Sequence, residues 1–178
     1  SRRQRQMCIR DRCIPIRLDV SSFKTNKTQR RVLKQNSDLE CRIEKTEFTS
    51  SSYILFERYI EARHKDGDMY PATEGQFKSF LLSPWANTRS LNFYLDGDLV
   101  SSAVTDIQLR SISAIYTFFE PDHSDRSLGT LSILKQIQLA SSMNLKHVYL
   151  GYWIRESAKM DYKKNYRPNE QLLSLIHI

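Results

Sequence analysis

The 178-residue sequence predicts a mixed α/β domain, a mixed sheet flanked by helices, on three observations. Two alternating runs, Ser90–Leu95 and Leu99–Ile107, flank an Asp96-Gly97 pair, which signals a hairpin. Ser111–Phe119 (SISAIYTFF) is apolar on both faces, as an interior strand covered on two sides must be. After it come a polar loop (EPDHSDRS), a helix with Leu128, Leu131, Leu134 and Ile137 at threefold spacing, and a strand over 146–152. That order is a βαβ crossover, so the two strands are expected to be parallel neighbours. With 40% hydrophobic and 11% aromatic residues the chain can fill a core, and five Gly and five Pro exclude collagen-like and low-complexity classes.

The remaining elements follow in chain order. Cys13–Val20 alternates Ile14, Ile16, Leu18 and Val20 against polar positions and reads as a strand, at a sheet edge because Pro15 lacks a donor. A polar, basic stretch then leads to a helix through about Asn36 with Thr28 as its expected N-cap. Glu40–Phe48 reads as a further strand. Residues 52–64 fit a helix whose face Phe56, Tyr59, Ile60 and Arg63 ends in a cation. Arg63 is either a favourable charge at the helix C-terminus or, with His64, a group turned into a site beside the KDGDMYP turn. A helix over 73–83 starts with the capping-box spacing of Thr73 and Gln76 and buries Phe77, Phe80 and Leu81. In the second hairpin strand, period two puts Val100, Ser102, Val104 and Asp106 on one face, where the carboxylate is either catalytic or turn-forming.

The net charge of +7 is unevenly placed: residues 1–42 hold 12 Lys and Arg against 4 Asp and Glu, the rest 15 against 16. Residues 1–12 and 174–178 carry no periodicity continuous with their neighbours and resemble translated adapter sequence, so both ends are expected to be non-native. No apolar run approaches the ~18 residues of a membrane span, and no apolar segment follows the basic start as in a secretory signal. Three cysteines, Cys8, Cys13 and Cys41, favour a reducing, cytoplasmic setting over a disulfide framework.

The first chemical feature is DRSLGT. It sets Arg126, Ser127 and Gly129 at a helix N-terminus, where free amides and the helix dipole favour an anion, with Gly129 available for close backbone approach. The alternative is a packing glycine. The strand–loop–helix after a hairpin resembles the pyrophosphate loop of GCN5-related acyltransferases (GNAT-like folds).

A longer resemblance covers about Cys13 to Glu170. SFKTNKTQRRVLKQNSDL, YIEARHKDGDMYP, AIYTFFEPDHSDRSLGTLSILKQI, VYLGYWI and KMDYKKNYRPNE look like the C-terminal portion of the aminoacyl-tRNA–protein transferases, most of all the bacterial aspartate/glutamate leucyltransferase branch related to the arginyl-tRNA–protein transferases. The family precedes the IPIR strand with a Cys-x2-Cys-x2-Cys cluster in a module that holds metal or an iron–sulfur centre. Here Cys13 matches the last cysteine, Arg10 and Met7 stand at the earlier positions, and Cys8 is one place out of register. The chain therefore reads as N-terminally shortened: a non-native tip over 1–12, a remnant of the cysteine module with a basic linker over 13–40, the GNAT-like domain over 41–173, and a tail over 174–178. One or two thiolates do not complete a tetrahedral site, so no metal is expected to be held here, and Cys41 is expected to pack.

The resemblance implies a cytosolic enzyme that moves an amino acid, leucine or arginine, from aminoacyl-tRNA to the α-amine of proteins beginning with Asp or Glu, tagging them for degradation by the N-degron route. It implies aminoacyl-tRNA as co-substrate, no cofactor for the transfer, no membrane partner, and leaves the oligomeric state open. The ester is already activated, so positioning and a modest general base suffice. Arg30, Arg31 and Lys34, with Arg126, Ser127 and Gly129, are the candidates for tRNA phosphates, and the first three equally fit a solvated charge run. Arg63 is the candidate for the acceptor carboxylate because a guanidinium pairs bidentately. His64, Asp66 and Asp106 are the base candidates. Tyr116, Phe118 and Tyr152 either line the aminoacyl or adenine pocket or belong to the core, and Trp85 and Trp153 are expected to pack. Two rivals stand beside this reading: an acyl-CoA-dependent N-acetyltransferase, which needs a Gly-richer loop than RSLGT, and an inactive fragment that binds tRNA or a protein N-terminus.

Overall fold

A seven-stranded sheet in the order β2-β3-β4-β5-β6-β1-β7 organises the chain. The computed structural model describes residues 13–67, 69–82, 87–154 and 158–171, so the expectations for both chain ends, Cys8 and Trp85 lie outside the described residues. The strands are β1 Cys13–Asp19, β2 Glu40–Lys45, β3 Thr88–Leu95, β4 Asp98–Ile107, β5 Ser111–Phe119, β6 His147–Ile154 and β7 Asn169–Gln171. The helices are α1 Lys27–Gln35, α2 Ser50–Arg63, α3 Glu74–Leu81 and α4 Leu128–Ser142. Two 3-10 segments, Pro121–Arg126 and Ala158–Asn165, replace what reads in the sequence as plain polar loop.

The hairpin forms around Asp96 and Gly97, both at positive φ (51° and 94°), the backbone that lets a two-residue turn follow the strand twist. β5 and β6 are the parallel pair the crossover demands, and every other neighbour is antiparallel. α4 and α1 cover one face through Leu128, Leu131 and Val32 against Leu91, Phe93 and Ala103. On the other face α2 and α3 deliver Leu55, Phe56, Ile60, Phe77 and Leu81 onto Val104 and Phe118. A third cluster joins α4 to β1 and β6 through Ile133, Ile137, Ile16, Leu18 and Val148.

Three local expectations are corrected. β1 is not the edge strand, because β7 pairs with Ile16–Leu18; among the described residues Pro15 has no β7 partner, and the β1–β6 register shifts between Pro15 and Arg17. The N-cap of α1 is Asn26, not Thr28: the Asn26 side chain accepts from the Gln29 amide and the Gln29 side chain accepts from the Asn26 amide. Val100 does not share a face with Val104. Phe93 pairs with Ser101 and Tyr94 with Leu99, so Val100 is an extra residue that bulges β4 and drops into the α4 side of the core.

A second bulge, at Ile115 in β5, lies between the pairs Val104–Tyr116 and Thr105–Ala114. It sends Ile112 to the α4 side and Tyr116 and Phe118 to the α2 side of one strand. α1 is anchored at both ends by buried amides: the Gln29 side chain donates to the Asn165 carbonyl at 3.3 Å and the Asn36 side chain to the Arg126 carbonyl at 2.9 Å.

Candidate functional site

β5 and β6 pair only over Ser111–Ser113 and His147–Tyr149, although β5 runs on to Phe119 and β6 to Ile154. The later halves of both strands therefore border an opening in the sheet instead of a ladder. Aromatic residues wall it from the α2 side. The Tyr59 ring lies 5.0 Å from Phe119, 6.2 Å from Tyr116 and 5.5 Å from His64. The helical face anticipated from Phe56, Tyr59, Ile60 and Arg63 brings them there: Phe56 and Ile60 are buried, and Arg63, one turn on, emerges with its guanidinium 5.3 Å from the Phe119 ring centre. His64 caps α2, its amide bonded to the Ile60 carbonyl at 2.8 Å, and its ring is half-buried.

The opposite rim is the 3-10 segment after β6. Tyr162 keeps half its side chain exposed; desolvation of its hydroxyl raises its pKa, and the nearby Tyr59 raises it further. Lys163 beside it is 7% exposed, and its Nζ donates to the Tyr152 carbonyl. Gly151 next to this carbonyl takes φ +76°, a backbone that favours glycine, and a Cβ there would meet Nζ at an ordinary 3.7 Å. Burial lowers the Lys163 pKa to about 8. The Tyr116 hydroxyl is buried without a hydrogen-bond partner, and burial pushes its pKa up strongly.

The structure thus brings together Arg63, His64, Tyr116 and the Tyr152 backbone. Other expected site residues fall elsewhere. Asp106 accepts from the Thr88 hydroxyl at 2.6 Å and pairs with Ser113, six residues and about 20 Å of strand from Phe119; it belongs to the far end of the sheet. Asp66 is exposed in a turn closed by the Gly67 amide on the His64 carbonyl. Phe118 is a core ring, 1% exposed and edge-on to Phe56 and Phe77, though it reaches the floor of a 310 Å³ cavity lined by Glu44, Asn92 and Tyr94. The Tyr152 ring is exposed, and only its carbonyl faces Lys163. Trp153 packs, with its indole N–H on Asp161.

The expected phosphate loop is also different in detail. Both guanidinium nitrogens of Arg126 bind the two Asp38 oxygens, at 2.9 and 3.0 Å, a fork-to-fork pair across 88 residues of chain that lowers the Asp38 pKa. Ser127 takes the left-handed conformation and makes no side-chain cap bond. A Cβ added at Gly129 would meet the Phe119 ring at an ordinary 3.6 Å. Arg30, Arg31 and Lys34 are exposed on α1, and Arg30 borders a 450 Å³ groove with Lys24, Phe23 and Ile137. Cys41 is half-buried with its thiol pKa pushed up by burial, and Cys13 begins β1 opposite Ile154. Among the described residues no three His, Cys, Asp or Glu side chains converge as metal ligands, and no helix is long and apolar enough to cross a membrane.

Sequence reasoning missed Tyr59, Phe119, Tyr162 and Lys163. The first two lie in quoted motifs but read as core, and nothing distinguishes buried Lys163 from its exposed-side neighbour Lys164 in a run of polar residues.

Comparison with known proteins adds four likenesses. The family model "Arginine-tRNA-protein transferase, C terminus" matches residues 51–173. An aspartate/glutamate leucyltransferase of Marinobacter nauticus is 46% identical over 160 residues, 90% of this chain and 68% of that protein. Among solved structures, L-PGS from Bacillus licheniformis superposes with a TM-score of 0.60 at 11% identity, over 83% of this chain and 47% of that one. A tandem GNAT protein from the clavulanic acid biosynthesis pathway does so with 0.55 at 12%, over 90% and 53%. At those identities the structures share a fold, the acyltransferase-like mixed sheet expected from the sequence.

Proposed function

Because this chain belongs to the arginine-tRNA–protein transferase family, we propose that it transfers leucine from leucyl-tRNA to the α-amine of proteins beginning with Asp or Glu. The observation that carries the reading is the opening between β5 and β6, with Arg63 standing over Phe119 at its rim. An amine and an acyl ester can meet there against an aromatic wall that excludes water, while a guanidinium holds the acidic side chain that selects the acceptor. The ester of the terminal ribose supplies the activation, so the protein's work is orientation and proton handling.

Arg30, Arg31 and Lys34 on α1 take tRNA phosphates, which makes binding fall with salt. Arg126 joins them only by exchanging Asp38 for a phosphate. Tyr116 offers its unpartnered hydroxyl to the aminoacyl group. The reaction takes place in the cytosol, and its product carries a new N-terminal leucine that marks it for degradation.

The test offers peptides beginning with Asp or Glu separately with leucyl-tRNA, arginyl-tRNA and acetyl-CoA, and reads products by mass. A gain of one leucine is expected. A gain of one arginine moves the chain to the other donor, acetylation replaces the reading with an acyl-CoA enzyme, and absence of product with every donor leaves a binding fragment.

A further inference from the structure

Lys163 is a buried cation that the fold does not neutralise. Its Nζ has one partner, the Tyr152 carbonyl, and among the described residues no carboxylate pairs with it. An ammonium carries three donors, and among the described residues only the Tyr152 carbonyl accepts from it. A structural lysine in such a place normally pairs with Asp or Glu, because an unpaired buried charge is costly. The nearest acid on the same segment, Asp161, is committed to Trp153 and Lys164. The other titratable groups around it are phenols: Tyr162 on its own segment, whose ring centre is 5.9 Å from Nζ, Tyr59 from α2 acting on Tyr162, and Tyr166, which packs with Phe23.

We propose that Lys163 is the proton acceptor of the transfer, taking the proton that the acceptor amine loses and delivering it to the departing ribose oxygen. The inference rests on the function proposed above. In the step, the acceptor nitrogen bonds to the ester carbonyl carbon and the carbon–oxygen bond to the ribose breaks. The proton released from nitrogen passes to neutral Nζ and then to the ribose oxygen, so charge and atoms balance without any outside reagent. Desolvation keeps a useful neutral fraction of Nζ near neutral pH, and the acceptor amine, which titrates at about 8, is matched to it. His64 lies across the cleft against Tyr59, and Asp66 faces solvent, which leaves Lys163 as the buried amine at the β6 rim.

The test compares wild type, K163R and K163M with leucyl-tRNA and an Asp-initiated peptide. In parallel, the lysine side-chain carbons are labelled with carbon-13 and titrated by NMR, with Lys163 assigned by its loss in K163M. Both variants are expected to lose about 100-fold or more in kcat, with peptide KM and tRNA binding little changed and the melting temperature of K163M at or above wild type. Lys163 is expected to titrate well below the other lysines. Activity of K163R within about threefold of wild type overturns the proposal, since a permanent cation would then suffice. So does loss of Asp-over-Asn selectivity in K163M, which makes Lys163 a carboxylate binder, and so does an ordinary lysine titration. Absence of leucyl transfer by wild type instead overturns the function, and the titration separates that failure from failure of the lysine's role.

Discussion

Replacing Lys163 by Met removes a buried amine that the fold holds near pKa 8 in place of the ordinary 10.5. Each tenfold change in proton affinity is worth about 1.4 kcal/mol, so at pH 7 the burial costs the wild type about 3 kcal/mol. Met fills a similar volume without charge, but it leaves the Tyr152 carbonyl without its donor, which returns about 1 kcal/mol of that gain. K163M should therefore be more stable than wild type by about 2 kcal/mol at pH 7. The sign with pH follows from the lowered value. Between about 8 and 10.5 the unfolded chain binds a proton the folded chain lacks, so wild-type stability rises with pH across that window. By pH 10 the wild-type penalty is under about 1 kcal/mol and the advantage of Met disappears. Urea unfolding at the two pH values measures this, and at pH 7 the midpoint should move up by about 1 M at unchanged slope. A Met variant no more stable than wild type at pH 7, or equally favoured at both pH values, would refute the reasoning. A variant that gains stability while losing turnover is the trade expected where a site is kept at the expense of the fold.

Four other substitutions probe separate claims. Arg63→Ala should lower the preference for Asp over Asn acceptors by about tenfold or more, the worth of a charged hydrogen-bonded pair, and an unchanged selectivity ratio removes Arg63 from acceptor binding. Gln136 is 1% exposed in α4 with neither amide atom partnered, so Gln136→Leu should stabilise by about 1–3 kcal/mol in denaturant; equal or lower stability shows that the amide has a partner after all. Asn26→Ala deletes the capping box of α1 and should cost about 1 kcal/mol by the same assay, whereas Thr28→Ala, two residues on in the same first turn, should cost much less.

What could be read from the sequence was what nearest neighbours decide. The Asp96-Gly97 turn and the Thr73–Gln76 capping box depend on residues a few positions apart, and the crossover from β5 to β6 on consecutive elements in chain order; each appears in the structure. Period counting failed at Val100 and Ile115, because a bulge inserts one residue and reverses every side chain beyond it without any mark in the alternation. Arg126 looked like a free phosphate ligand because its partner, Asp38, is remote in sequence. The same limit hid Lys163: its burial is set by where β6 ends and the 3-10 segment folds back, not by its flanking residues. Of the candidate site, Arg63 and His64 were legible because a helical face carried them, while the opposite rim was not.

The two amides that anchor α1 make it a strut of fixed length. Gln29 and Asn36 are seven residues apart, two turns, so both side chains leave the helix on the same side. One end grips the segment that carries Lys163, and the other grips the loop that leads into α4. Exchanging one exposed residue for another on this helix leaves the spacing between the two anchors intact. Adding or removing a single residue between the anchors rotates Asn36 by about 100° and shifts it about 1.5 Å along the axis, which releases one of the two grips. Natural variation along α1 should accordingly take the form of substitutions, with the residue count between Gln29 and Asn36 held constant.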